Sequence, residues 1–570
     1  MIPQELIRDF ASPGEVEGGA FARWATVPSL AGLVIVLLLA WLPAFVALPP
    51  LDRDESRFAE ASRQMVDTGN YIDIRFASGP RYNKPIGIYW LQSFTAKIAG
   101  ARLRASIQIY RAPSLIGGML STILLWFCAR GAASRRVAFV SALLLGTTLL
   151  LSTESVIATT DACLLVAVIA AQSVLLRVYL AARQERPAPH TGLVMAGWFA
   201  VGIGVLLKGP VILAVLAVTI IALSISDRDI SWLRGTKAIR GASLALVLVL
   251  PWAVAIGFAS HGAFYEQSLG QDFAAKIMGG RESHGAPPGY YLIETAIAFW
   301  PATLLLIPTL ASAIDRRREP LVRFLLAWSV GVWLMFEIAP TKLPHYILPA
   351  YPALAFLCGL WVVQSAGSDE NRLSGPLRIA SAVLFIIGVA VAAAACLYGP
   401  VRFGGNVRPP LIAAAGIAAA VACAAGFLFL RKRIWPATCL AVACAVAFDM
   451  VLGIAVVPQL RDLWLSPRAA ALVSANRRAG DTPPVITGYV EPSLVFLLGP
   501  DTRIAAAAIA ARDAGSGGLA LVEARAVPEF FAGATSQGLA AKPLGSVRGL
   551  DYSTGRNEQI TLYRITPVRR

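Results

Sequence analysis

Apolar residues run along most of this chain in long unbroken blocks instead of alternating with polar ones. The blocks lie near 29–49, 109–128, 137–153, 157–182, 191–206, 209–226, 238–258, 290–311, 322–338, 345–364, 377–398, 408–430 and 435–457. That makes about thirteen runs, each compatible with the roughly 20 residues a helix needs to cross a bilayer, given tilt and ragged ends. Blocks of this kind predict helices, because inside lipid each backbone polar group must be satisfied within its own segment. The first run is too long for the apolar core of a cleavable leader, and about 28 mostly polar residues precede it. It therefore reads as a first transmembrane helix.

The pattern changes after 457. Ser466-Pro467 makes a helix start before "RAAALVSANRRAG", "PPVITGYV" reads as a strand and "PSLVFLLG" as a short helix. "GGLALVEARA" and "QITLYRIT" read as further strands. The expected architecture is an α-helical polytopic membrane protein over 1–457, with one long loop at 50–108, followed by a small α/β domain over 458–570.

Composition agrees with this reading. Of 570 residues, 56% are hydrophobic and only 15% are charged, more apolar surface than a soluble chain could bury. The net charge of +16 then points to basic loops and anionic headgroups, not to nucleic acid, for which there is no motif. The seven cysteines all lie in or at the ends of apolar runs, so they read as small packing residues and not as a disulfide framework.

Charge orients the spans. Arg130, Arg135 and Arg136 follow the second run, Arg183 and Arg186 the fourth, and Arg228, Arg234, Lys237 and Arg240 the sixth. Arg316, Arg317 and Arg318 follow the eighth, and Arg431, Lys432 and Arg433 the twelfth. Basic short loops thus come after even runs, which puts the N-terminus in the cytoplasm and both 50–108 and 458–570 outside.

With that topology the candidate chemistry gathers on the outer face. Asp54 and Glu55 open the long loop beside Arg57, and "RYNKPIGIYW" (81–90) adds Tyr82 and Lys84. Asp161 starts the fourth run, and Lys208 lies in the turn before the sixth. Arg281, His284, Tyr290, Tyr291 and Glu294 precede or open the eighth, and Lys342, His345 and Tyr346 lie between the ninth and tenth. Each has an ordinary reading: Asp161 as a helix cap, Lys208 as a snorkelling side chain, the tyrosines as an interfacial belt. Their convergence favours function, because ionisable groups at membrane depth are costly. Carboxylates that orient a sugar, together with Lys and Arg that bind phosphate oxygens, fit a lipid-borne anionic substrate. Arg75, Arg81, Lys97, Arg102 and Arg104 read as further phosphate and headgroup contacts.

These segments resemble a known family. "DESRFAEASRQM", "RYNKPIGIYWLQ", "TDACLLVAV", "LLKGP", "PWAVAI", "HGAPPGYY" and "TKLPHYILPAYPALA" are similar to membrane glycosyltransferases of the GT-C type, which use polyprenyl-phosphate sugars. The likeness is strongest to the bacterial 4-amino-4-deoxy-L-arabinose (aminoarabinose) lipid A transferases, relatives of the protein O-mannosyltransferases. It implies an undecaprenyl-phosphate aminoarabinose donor, a lipid A phosphate acceptor, and a site at the periplasmic face of the bacterial inner membrane. The modification would weaken binding of polymyxin and other cationic antimicrobial peptides. By the same resemblance Asp54 matches the family's catalytic aspartate.

A phosphate acceptor is already a good nucleophile near neutral pH, since its second pKa is about 6. The expected roles are therefore Asp54, Glu55 and Asp161 holding sugar, amine or acceptor, and Lys84 with Arg57 stabilising the leaving phosphate. The rival reading is a mannosyltransferase-like GT-C enzyme acting on a protein or another envelope glycan. No cofactor is required, although His261, His284 and His345 with Glu266, Asp272 and Glu294 offer donors for a divalent metal without forming a tight motif.

Overall fold

The computed structural model describes residues 29–77, 79–273, 286–365 and 375–568. Each apolar run falls on a helix or a helix pair. Among the described residues ten helices are long and apolar enough to span a bilayer. The pair Arg135–Gly146 and Leu149–Ser155, bent by 66°, makes an eleventh if counted as one. Val211–Asp227 and Thr303–Asp315 are apolar but shorter.

Two of the expected spans are therefore broken. The run at 290–311 is divided into Tyr290–Ala298 and Thr303–Asp315, with Pro301, which has no N–H to donate, in the gap. The run at 137–153 breaks after Gly146, where a Cβ would lie 2.4 Å from the Leu37 side chain. The two breaks meet: Leu149 N–H donates to the Trp300 carbonyl at 3.0 Å. A backbone group freed by one interruption is thus satisfied at the other, as burial demands.

The segment 50–108, expected as a loop, is largely helical. Asp54 and Glu55 sit in the first turn of Asp54–Thr68, where the helix dipole favours acids, and Gly69 ends the helix in the left-handed conformation at φ 72°. A two-stranded ribbon follows, β1 (Arg75–Phe76) with β2 (Gly79–Pro80), and then the helix Gly87–Ala99. This helix turns Leu91, Phe94 and Ile98 outward at helical spacing, with Phe94 64% and Ile98 70% exposed. Such a stripe suits a helix lying on a bilayer surface. Its other face is fixed: the Ser62 hydroxyl bonds Gln92 Oε1 at 2.8 Å. A Cβ at Gly87 would come within 2.7 Å of the Leu206 carbonyl oxygen, so this position needs glycine to pack on Thr191–Lys208.

The C-terminal part holds a five-stranded sheet in the order β4-β3-β5-β7-β6. Its strands are β3 (Val485–Thr487), β4 (Arg503–Ile504), β5 (Leu519–Glu523), β6 (Leu539–Asp551) and β7 (Arg556–Pro567). β3 pairs in parallel with β4 and β5, while β7 pairs antiparallel with β5 and β6. Helices Leu465–Asn476, Pro492–Leu498, Ala507–Ala514 and Val527–Ser536 accompany it. The strands read from "VIT", "LALVE" and "ITLYRIT" and both expected helices are present. β6 and the short β4 are additions.

Candidate functional site

The helix Asp54–Thr68 is the lip of the site. Asp54 ion-pairs with Arg81 at 3.2 Å and keeps 63% of its side-chain surface accessible, whereas Arg81 keeps 7%. Arg81 is backed by the Phe58 ring at 4.9 Å. Burial pushes the Asp54 carboxyl up, but Arg81, Lys84 and Arg57 outweigh it and hold the group below its ordinary range. Asp54 is thus an accessible carboxylate ringed by three cations that favour its charged form.

Glu55, one residue on, does something else. It is buried, and its two oxygens accept Arg111 Nε at 2.7 Å and Nη2 at 2.8 Å. They also accept the backbone N–H of Leu51 and of Ala158, each at 2.8 Å. Arg111 in turn donates to the Leu48 and Pro49 carbonyls at 2.7 and 2.8 Å. The carboxylate is fully engaged, so the expectation that Glu55 meets substrate is corrected: it ties the exit of the first span to the second span and to the turn before Asp161.

Asp161 and Lys208 form a buried ion pair, and the Thr160 hydroxyl donates to Asp161 at 3.2 Å. Asp161 heads its helix but makes no capping bond. The Lys208 ammonium lies 5.3 Å from the centre of the Tyr346 ring, which meets the His345 ring at 4.9 Å. His345 is within electrostatic reach of Asp161, Lys208, Asp54 and Lys84, and so joins the two carboxylate centres. Asp54, Arg57, Lys84, Asp161, Lys208, His345 and Tyr346 are thus brought together.

Other expectations fall away. The Tyr82 hydroxyl donates to Asp73 at 2.7 Å, and burial with that bond pushes it up to about 12. Its ring packs against Phe264 at 5.9 Å, so Tyr82 is part of the support and not of the substrate surface. Lys342 is buried, and its ammonium caps the Ala339 carbonyl at 2.9 Å. The Glu294 carboxylate faces the Tyr351 hydroxyl at 3.4 Å. Arg281 and His284 lie outside the described residues. Among the described residues no group of three or more His, Cys, Asp or Glu is placed to hold a metal ion.

Two participants were missed as site residues. The sequence marks Arg81 only as a phosphate and headgroup contact. Glu154 was not singled out: it is buried, accepts the Thr159 hydroxyl at 2.7 Å, and lies within electrostatic reach of Asp161, Lys208 and Asp54. An acid directly after the apolar run 137–153, between two spans, is the available signal.

The C-terminal domain clamps the lip. The Tyr552 hydroxyl accepts Asp52 N–H at 2.6 Å, the Ser493 hydroxyl donates to the Asp52 carboxylate, and Arg53 donates to the Ser553 carbonyl. Farther along, Arg63 donates to the Phe496 carbonyl at 3.0 Å and covers its ring at 4.8 Å.

Known proteins resemble this chain in sequence and in fold. Residues 83–254 match the family described as dolichyl-phosphate-mannose-protein mannosyltransferase. An undecaprenyl phosphate-alpha-4-amino-4-deoxy-L-arabinose arabinosyl transferase from Aeromonas salmonicida is 30% identical over 347 residues, covering 60% of this chain and 61% of its own. A protein of the same description from Erwinia tasmaniensis is 30% identical over 397 residues, covering 69% of this chain and 68% of its own. For the Aeromonas relatives the match spans about three-fifths of their length. The crystal structure of ArnT from Cupriavidus metallidurans bound to undecaprenyl phosphate superposes with a TM-score of 0.73 at 17% identity, over 94% of this chain and 98% of that one. The fold is therefore of the GT-C type, and the chain belongs to the family of undecaprenyl phosphate-alpha-4-amino-4-deoxy-L-arabinose arabinosyl transferases.

Proposed function

We propose that this protein transfers 4-amino-4-deoxy-L-arabinose from undecaprenyl phosphate to a phosphate of lipid A at the periplasmic face of the inner membrane. The observation that carries the reading is the accessible Asp54 carboxylate held ionised by Arg81, Lys84 and Arg57 next to the Asp161–Lys208 pair. In the transfer an acceptor phosphate oxygen forms the new bond to the anomeric carbon. The bond from that carbon to the polyprenyl phosphate breaks, and the leaving phosphate takes the electron pair. No proton need be removed from a phosphate nucleophile. Asp54, already committed to cations, orients the sugar or its amine, and Lys84 with Arg57 answers charge growing on the leaving phosphate.

The mannosyltransferase match over 83–254 favours one second reading, in which the same donor chemistry serves a hydroxyl acceptor and Asp54 acts as base. The test is expression of wild type and Asp54→Ala in a lipid A-producing strain lacking its own aminoarabinose transferase, with lipid A read by mass spectrometry. Added aminoarabinose in wild type only is the expected result. Unmodified lipid A with folded wild type and available donor would overturn the phosphate acceptor.

A further inference from the structure

A charged cavity, sharing no lining residue with the site around Asp54, opens where the C-terminal sheet meets the end of the span Gly375–Arg402. Its volume is about 780 Å³, within the range of roughly 300–1,000 Å³ that small ligands fill. Arg402, Arg525, Arg548 and Arg556 line it with Glu523 and Glu558. The sign of the cavity depends on which charges are already answered.

The acids are answered. Glu523 and Glu558 are both buried, and Arg525 bonds to both, at 3.0 Å to Glu523. Burial and a hydrogen bond to Glu523 hold the Glu558 carboxyl above its ordinary range, and Arg525 bridges the two acids. Asp462, also in the wall, faces Arg468 at 3.8 Å. The other cations have no acid partner among the described residues, and Arg402 meets only the Phe403 ring, at 5.4 Å. Arg402 and Arg556 are exposed, and among the described residues neither has an ion-pair partner. Arg548 spends only its Nε, on Gln559 Oε1 at 2.8 Å. Three guanidinium groups therefore set the potential of a concave surface beside the end of a membrane span.

We propose that this groove binds a phosphate-bearing anion of two or more negative charges, gripped by Arg402, Arg548 and Arg556. Guanidinium forks match phosphate oxygens in pairs, and charges from three different elements select a multiply charged ligand over a single carboxylate. The position next to the end of a span suits a membrane headgroup, and the same chemistry accepts a free oligophosphate. The site goes beyond the proposed sugar transfer and stands independently of it.

The test uses the full chain in phosphatidylcholine nanodiscs, titrated with inorganic pyrophosphate by calorimetry. A Lys84→Ala background removes the anion site at the lip. Saturable one-to-one binding should persist in that background and weaken by about tenfold or more in Arg402→Gln/Arg556→Gln. Arg402→Lys/Arg556→Lys should restore part of it. Both side chains are exposed, so the thermal melts of these variants should match that of the parent. Loss of all binding in Lys84→Ala alone, or equal affinity in the Gln pair, would overturn the assignment. Native mass spectrometry from nanodiscs containing phosphatidylglycerol then separates the sources. Retained phosphatidylglycerol that is lost in the Gln pair assigns the site to a headgroup, and equal retention assigns it to the free anion.

Discussion

Asp54 and Glu55 are neighbours with opposite duties, and substitution should separate them. Removing Glu55 leaves Arg111 buried with its charge uncompensated, which costs about 3–5 kcal/mol in known cases. Glu55→Ala should therefore lower the melting temperature and yield in detergent. Asp54 is accessible, so Asp54→Asn should melt within about 0.5–1 kcal/mol of wild type while losing turnover. Equal melts for the two variants would refute the division. The cations around Asp54 also set its pH behaviour. Its carboxyl is held below the ordinary range, so the Arg81 link contributes above that range and is lost as pH falls through the lowered value. Activity should hold through mildly acidic pH. Arg81→Gln leaves burial unopposed by its strongest cation, so the acid limb of kcat/KM should move up toward neutrality; an unmoved limb would remove Asp54 from the profile.

At the scale of elements the clamp between the lip and the C-terminal domain is the joint to test. Glu491, just before the helix Pro492–Leu498, is pushed up to about 7 by burial and by the nearby Asp52 and Asp551 carboxylates. Its proton is bound in the docked state and absent from the undocked chain between about pH 4.5 and 7. The contribution to docking is thus complete at the acid end and lost as pH rises through 7. Hydrogen exchange in Pro492–Leu498 should speed up from pH 6 to pH 8 beyond the intrinsic rate, and Glu491→Gln should flatten that difference. This joint was not legible in the sequence, because it unites residues some 440 positions apart, such as Asp52 and Ser493. The spans were legible because apolar blocks of bilayer length have one solution in lipid. Their breaks are less legible, since Gly146-Thr147-Thr148 and Pro301 are short interruptions within runs that are apolar on both sides. β6 was missed because "LAAKPLGSVRGLD" carries Gly, Lys and an interior Pro543; as an edge strand it tolerates them. Asp54 and Lys84 were found from charge beside a span. Glu55's role was not, although Arg111 inside an apolar run was a sign of a buried partner.

Across the whole molecule the charged side chains sort to the two ends of the bundle. The helix Asp161–Ala182 begins at the Lys208 pair and ends at Arg183, which bonds Asp227 at 2.6 Å and Asp229 at 3.4 Å. Arg323 also pairs with Asp227, and the Tyr179 hydroxyl donates to the same carboxylate at 2.7 Å. One acid thus locks together the ends of the fourth and sixth apolar runs and the start of the ninth, and Arg323 also bonds the Arg317 and Arg318 carbonyls in the loop after the eighth, at the end away from the Asp54 site. These are the loops whose arginines and lysines call for the cytoplasm. Since the C-terminal domain grips the lip, it must share the lip's side, so one orientation measurement fixes both. Alkaline phosphatase joined after Gly515 should be active in cells, and a fluorescent protein that folds only in the cytoplasm should be dark there. Joined after Gln184, between the fourth and fifth runs, the same reporters should give the reverse. Phosphatase activity at Gln184 would invert the molecule and move the carboxylates to the cytoplasmic face, where a periplasmic transfer could not occur.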